Sequence, residues 1–233
     1  MKRLVVTLCL LSAMATVAMA AGSDRWEPNI KAFEAADART PPAPGQVLFV
    51  GSSTIVGWNL TRCFPGLPAL NRGFGGSQVA DSVAFAERII LPYKPRIIVF
   101  YAGGNDLAAG KSPAVIADDV AQLLAKIRAK LPYTRFVWIP IKATPSRWNL
   151  RPLEVDTNAR VAHLLSQDWA SDVLDVDSYT LGADGMPRRD VLKPDMLHMN
   201  DLGYDLMSRA LLPYLDYTIQ PRLARASGVS TLR

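Results

Sequence analysis

Hydrophobic residues along this chain fall into short unbroken runs separated by longer amphipathic stretches. Val47 to Val50, Arg96 to Ala102, Arg135 to Pro140 and Val173 to Val176 are dominated by apolar residues, and a brief run lies near Ala69 to Asn71. Such runs predict strands covered on both faces, because a strand with one wet face would alternate apolar and polar positions. Between the runs, apolar positions recur at helical spacing over Val79 to Leu91, Pro113 to Lys130 and Arg151 to Trp169. Further helices are predicted around Ile30 to Asp37 and over Asp201 to Leu215, the latter capped by Asn200. Strand and helix alternate, so the strands should pair in parallel through helical crossovers. The predicted fold is α/β: a three-layer α/β/α, flavodoxin-like, doubly wound sheet of five parallel strands in the order 2-1-3-4-5.

The first twenty residues have the three parts of a secretory leader. Lys2 and Arg3 precede an apolar stretch from Leu4 to about Val17, and Ala18-Met19-Ala20 is a small-x-small cleavage site. The stretch falls short of the ~20 apolar residues a spanning helix needs, so stable membrane insertion after cleavage is not expected. The expected divisions are a signal peptide over 1–20, an N-terminal segment over 21–45, one domain over 46–216 and a tail over 217–233. Thr40-Pro41-Pro42-Ala43-Pro44-Gly45 forms a turn-prone lead-in to the domain. The protein is therefore expected to be exported, to the periplasm or the medium.

Loss of Lys2 and Arg3 lowers the formal net charge from +5 to +3. Without basic clusters, this balance gives no reason to expect nucleic acid as a partner. Cys63 is the only cysteine beyond the leader, so no internal disulfide can form even in an oxidising compartment. It is read as packed or idle rather than as a nucleophile.

Candidate chemistry lies in the loops that follow strands, where open parallel sheets bind ligands. Gly51-Ser52-Ser53-Thr54 follows the first strand, Arg72-Gly73-Phe74-Gly75-Gly76 the second, and Gly103-Gly104-Asn105-Asp106 the third. In the expected strand order these loops are neighbours. Each also has an ordinary structural reading. The hydroxyls of Ser52, Ser53 or Thr54 suit a helix cap, and Asn105-Asp106 suits a turn. A dinucleotide loop is excluded because the third glycine of G-x-G-x-x-G would fall on Gln78. Far downstream, Asp195 and His198 bring a carboxylate and an imidazole together on one loop, as a serine hydrolase requires. The other histidine, His163, lies mid-helix and is read as structural. Two histidines without a cysteine cluster give no zinc site, and neither a metal nor an organic cofactor is expected.

The four blocks, in this order, resemble those of the SGNH, or GDSL-type, esterase and lipase family. The resemblance spans about residues 46 to 213. It implies Ser53 as nucleophile, with Asp195 and His198 completing a triad. It also implies an oxyanion hole made from the amides of Ser53 and Gly76 and the side chain of Asn105. Phe64-Pro65-Gly66-Leu67-Pro68 and Pro145-Ser146-Arg147-Trp148 are similar to segments of a secreted bacterial subgroup related to platelet-activating-factor acetylhydrolase and lysophospholipase-like esterases. The chain departs from the G-D-S motif in carrying Ser52 in place of the aspartate.

The expectation is thus a serine esterase acting on small-molecule carboxylic esters with small acyl groups. Thioesterase and lysophospholipase activities are rivals within the enzyme class, and a non-catalytic module binding acyl or carbohydrate groups is the rival outside it. Trp58, Arg147 and Trp148 are candidates for a substrate pocket, with a core position for Trp58 and a solvent-exposed one for Arg147 as the alternatives. The sequence does not assign an oligomeric state.

Overall fold

The computed structural model describes residues 23–215. The expected leader and tail lie outside the described residues. The helices and strands run, in chain order, α1 (Glu27–Arg39), β1 (Val47–Gly51), α2 (Ser53–Val56), α3 (Leu60–Cys63), β2 (Ala69–Gly73), α4 (Val79–Ile89), β3 (Ile97–Tyr101), α5 (Gly104–Ala108), α6 (Pro113–Lys130), β4 (Arg135–Trp138), α7 (Arg151–Ser166), β5 (Ser171–Val173), α8 (Asp177–Thr180) and α9 (Asp201–Leu215). Single 3-10 turns occur at Asp24–Trp26, Leu91–Tyr93 and Pro145–Leu150. All strand pairs are parallel, as the hydrophobic pattern predicts, and the order is β2-β1-β3-β4-β5, as expected.

Successive strand residues point to opposite faces, and each face has its own core. Leu48, Val50, Ile98, Phe100, Phe136 and Trp138 meet buried residues of α1, α4, α6 and α7. Val47, Phe49, Ile97, Val99, Tyr101 and Val137 meet Ile55, Trp58 and Phe64, together with Tyr204, Met207 and Leu211 of α9. Every residue of β1 and β3 is buried. Because both faces are dry, these strands read as continuous apolar runs.

The chain ahead of β1 packs onto the first core. Ile30 of α1 is fully buried, and Trp26 and Phe33 lie against the same cluster. Arg88 of α4 reaches Glu27 and Glu34 at 2.7 Å each, and Arg72 of β2 pairs with Asp37. The helix therefore braces β2 and α4, whose connecting loop is one of the candidate functional segments.

The last strand differs from the expected Val173 to Val176. The ladder runs from Ser171 opposite Phe136 to Val173 opposite Trp138. Leu174 donates one further bond to the Trp138 carbonyl at 2.9 Å before the chain turns. Leu174 and Val176 are still buried, but in the second core. Their apolar character reports burial and not strand pairing. Polar Ser171 and Asp172 can occupy the ladder because β5 is an edge strand, where Asp172 takes an ion pair from Arg135 at 2.6 Å.

Candidate active site

β1 lies between β2 and β3, so the loops leaving these three strands meet at one rim of the sheet. Close approach there depends on glycine. Gly51 has φ +138°, and a Cβ on it would come within 1.9 Å of the Tyr101 carbonyl oxygen. With none, the Ser52 N–H donates to that oxygen at 2.9 Å. This turn directs the chain into α2, with Ser53 as its first residue. A Cβ on Gly73 would lie 2.7 Å from the Val56 nitrogen, so β2 could not otherwise pass so near α2. Asn71 ties the two further, donating from Nδ2 to the Ile55 carbonyl at 2.7 Å.

Of the three adjacent hydroxyls, that of Ser53 meets the imidazole. Ser53 Oγ and His198 Nε2 are 3.0 Å apart, and His198 Nδ1 lies 2.7 Å from Asp195 Oδ2. Ser52 and Thr54 are buried, and Ser52, at the N-cap position of α2, makes no side-chain capping bond. Asp195 Oδ1 accepts the backbone N–H groups of Leu197 and His198, each at 3.0 Å. The hydrogen bond from the His198 ring, supported by these two amides, holds the Asp195 carboxyl well below the usual carboxylate range. An ionised Asp195 places the ring proton on Nδ1 and leaves the Nε2 lone pair facing the Ser53 hydroxyl.

The spacing between these distant segments is set by α9. Asn200 caps it, accepting the Gly203 N–H at 3.0 Å, and Asn200 Nδ2 holds the Asp190 and Leu192 carbonyls at 2.7 and 3.1 Å. One turn on, Tyr204 donates to the Thr54 carbonyl at 2.9 Å, and Ser208 accepts from Trp58 Nε1 at 2.9 Å. The helix that follows His198 is thus fastened to the segment that carries Ser53.

On the other side of Ser53, Gly75 sits so that a Cβ on it would be 3.9 Å from the Ser53 Cβ. Gly76 has φ +81°, and a Cβ there would press on the Trp26 ring at 3.2 Å. Among the described residues, neither the Ser53 nor the Gly76 N–H has a backbone or side-chain acceptor. Asn105 Nδ2 donates to the Ser77 carbonyl at 3.0 Å, and its Oδ1 accepts Arg147 Nη2 at 3.0 Å. One Nδ2 hydrogen remains available for a ligand.

Sequence reasoning missed the residues that brace these donors. Asp106 is fully buried and accepts the Val79 N–H at 3.2 Å and Lys111 Nζ at 3.1 Å. Its burial raises the carboxyl above its ordinary value, against the pull of Lys111. Asp81 accepts Ser23 Oγ at 2.6 Å, Trp26 Nε1 at 3.1 Å and the Gln78 N–H at 2.8 Å. Gln78 and Asp81 form a capping box on α4, which fixes the start of the helix just beyond Gly76. Only a Gln-x-x-Asp spacing before an amphipathic stretch signals this in the sequence.

The remaining candidates divide. Trp58 is not a pocket residue: it is 2% exposed and packs against Phe49, Phe64 and Tyr204. Its size and apolar ring suit the core, and Ser208 satisfies its one polar group. Arg147 does reach the rim, through Asn105. Trp148 is half-buried in the same 3-10 turn, and His163 is exposed on α7. Cys63 is a partly buried free thiol packed beside the second core. An open depression lined by Pro95, Arg96, Lys130 and Tyr133 contains none of the rim groups. Among the described residues, no cluster of three or more His, Cys, Asp or Glu is placed to hold a metal, and no helix is long and apolar enough to cross a membrane.

A doubly wound sheet with a Ser-His-Asp constellation at its rim is an architecture of serine hydrolases. Residues 49–206 match the GDSL-like Lipase/Acylhydrolase family, and the chain belongs to that family of carboxylic ester hydrolases. No curated protein sequence is significantly similar to it. Among solved structures, a protein of Streptococcus pneumonia described provisionally as a platelet activating factor is similar, with TM-score 0.73 and 17% identity over 88% of this chain and 99% of that one. A GDSL-like lipase of Bacteroides thetaiotaomicron has TM-score 0.69 and 15% identity, covering 82% of this chain and 98% of its own. An acetyl-xylooligosaccharide esterase of Geobacillus Stearmophilus, in a mutant form, has TM-score 0.60 and 16% identity, covering 76% of this chain and 96% of its own. At these identities the likeness concerns the fold.

Proposed function

We propose that this protein is an exported serine esterase that removes small acyl groups from carboxylic esters, with Ser53, His198 and Asp195 as its triad. The observation that carries the reading is the unbroken contact from Asp195 through His198 to Ser53, across 145 residues of sequence between the last two. Ser53 Oγ attacks the ester carbonyl carbon as His198 Nε2 takes its proton. The carbonyl oxygen, now negative, receives hydrogen bonds from the Ser53 and Gly76 amides and from Asn105 Nδ2. The tetrahedral species collapses, the alcohol leaves with the proton from His198, and the acyl group stays on Ser53. Water then attacks the acyl-enzyme, again giving a proton to His198. That proton returns to Ser53 Oγ as the free acid departs. Asp195 orients the imidazole and stabilises its cation throughout.

The similar acetyl-xylooligosaccharide esterase fold supports a short acyl group, acetyl above all. Residues 1–20 are the export leader in this reading, 46–216 the catalytic domain and 217–233 a tail, so the mature N-terminus should be Ala21. Hydrolysis of aryl acetates tests the chemistry. Ser53→Ala should lose up to about a millionfold in kcat, whereas Ser52→Ala should stay within about tenfold of wild type. The reverse pattern would reassign the nucleophile. A protein that binds acyl esters without turnover would be the non-catalytic module instead.

A further inference from the structure

We propose that Arg147 is a positioning residue for the reaction: its guanidinium fixes which end of the Asn105 amide faces the ester carbonyl oxygen. The proposal rests on the reading of Asn105 as an oxyanion donor.

The two ends of a carboxamide have nearly the same shape, so packing alone distinguishes them poorly; their hydrogen-bonding partners distinguish them well. On one side of Asn105 stands a pure donor, Arg147 Nη2, 3.0 Å from Oδ1. On the other stands a pure acceptor, the Ser77 carbonyl, 3.0 Å from Nδ2. Rotating the amide by half a turn would set N–H against N–H and oxygen against oxygen, and it would present a carbonyl to a substrate oxygen that is gaining negative charge. Arginine suits this task because it carries no acceptor and does not lose its proton. Its charge also draws electron density toward Oδ1, which makes the Nδ2 hydrogens better donors.

The backbone around Arg147 fits such a role. The residue interrupts the 3-10 turn with φ −125° and ψ 21°, and its N–H donates to the Thr144 carbonyl at 3.2 Å. Its neighbour Ser146 donates its N–H to the Met196 carbonyl at 3.2 Å, between Asp195 and His198. The guanidinium lies over the Gly104 backbone, where a Cβ would be 3.1 Å from Nη1. The loop after β4 therefore holds the proton-transfer loop with one residue and the proposed oxyanion donor with the next.

A double-mutant cycle tests this on p-nitrophenyl acetate, with binding of an arylboronic acid, a mimic of the tetrahedral species, as second readout. Arg147→Ala should lower kcat by about 10- to 100-fold, part of what loss of the whole donor costs, with KM within about twofold. Boronate affinity should fall in proportion. In the Asn105→Ala background the same substitution should cost almost nothing. Arg147→Lys, which restores one donor, should recover most of the rate and guards against a folding defect in the alanine variant. Losses that add fully across the cycle, or a loss confined to KM, would overturn the proposal and make Arg147 a substrate contact or a structural residue. If Asn105→Ala itself leaves kcat unchanged, the oxyanion reading fails. If Asn105→Ala is slow and Arg147→Ala is not, only the role of Arg147 fails.

Discussion

Asp106 and Asp195 each stand beside a proposed catalytic side chain, yet their settings are opposite. Asp106, next to Asn105, is fully buried and bonded to the Val79 amide and to Lys111, which continues to Asp119 at 2.9 Å. The Asp195 side chain is 47% exposed, its His198 partner 34%, and the bonds to Asp195 come from Leu197 and His198 of its own loop. On the donor side, half-buried Asn105 and Ser53 and exposed Gly76 stand at the rim, and the Asp106 carboxylate behind them belongs to the core. The proton-transfer side is a laced loop at the surface, held at the right distance by α9. Oxyanion donors act by being fixed before charge appears, so they gain from a braced setting. An acid–base pair must exchange protons with substrate and water, and a surface loop permits that exchange.

This contrast can be broken from either side. Asp195→Asn should lower kcat on the order of 10⁴-fold, because the amide favours the wrong imidazole tautomer. The thermal midpoint should fall by no more than a few degrees, since the side chain is about half exposed; a drop of many degrees would show the loop to be a folding element. Asn105→Ala should cost about 100- to 1000-fold in kcat with little change in KM, which steady-state kinetics would resolve. Asp106→Asn should act on stability first. Its new amide would face the Val79 N–H and leave Lys111 without one carboxylate, for a loss of about 3 kcal/mol by denaturant titration. Unchanged stability would contradict the core character assigned to Asp106.

The smallest effect sharpens the other half of the comparison. Because Asp195 is held well below the usual carboxylate range, its ionised form is the folded form's preference. Its contribution to folding is present above the ordinary carboxylate pKa and is lost as pH falls through the depressed folded value. Asp195 therefore stays charged across the acid limb of the rate profile. The acid limb of log kcat/KM against pH should have a slope of one, from a single protonation. A slope of two would mean that a second group, or the loop itself, titrates with it.

Much of this arrangement was legible in the sequence, for physical reasons that also mark its limits. Strands buried on both faces write themselves as apolar runs, and their alternation with helices makes them parallel, so the layered sheet could be read in advance. The runs alone do not fix the strand order, and the choice of Ser53 among three hydroxyls came from the family resemblance. The last strand was read two residues late because hydrophobicity reports burial, and Leu174 and Val176 are buried beyond the ladder. Trp58 was left open between core and pocket because its neighbours, Tyr204 and Ser208, come from a helix about 150 residues away. Likewise, nothing local ties Arg147 to Asn105 or Trp26 to Gly76. The first contact exists only once the loops after β3 and β4 share a rim, and the second only once the turn ahead of α1 packs against the loop after β2.

The central claim, that His198 activates Ser53 as a nucleophile, is tested most directly by mass mapping of the adduct formed with a fluorophosphonate. The account predicts one phosphonylated residue, Ser53, in the wild-type protein, and labelling at least about a thousandfold slower in His198→Ala. Labelling at Ser52 or Thr54, or at Ser53 with equal speed in both proteins, would contradict it.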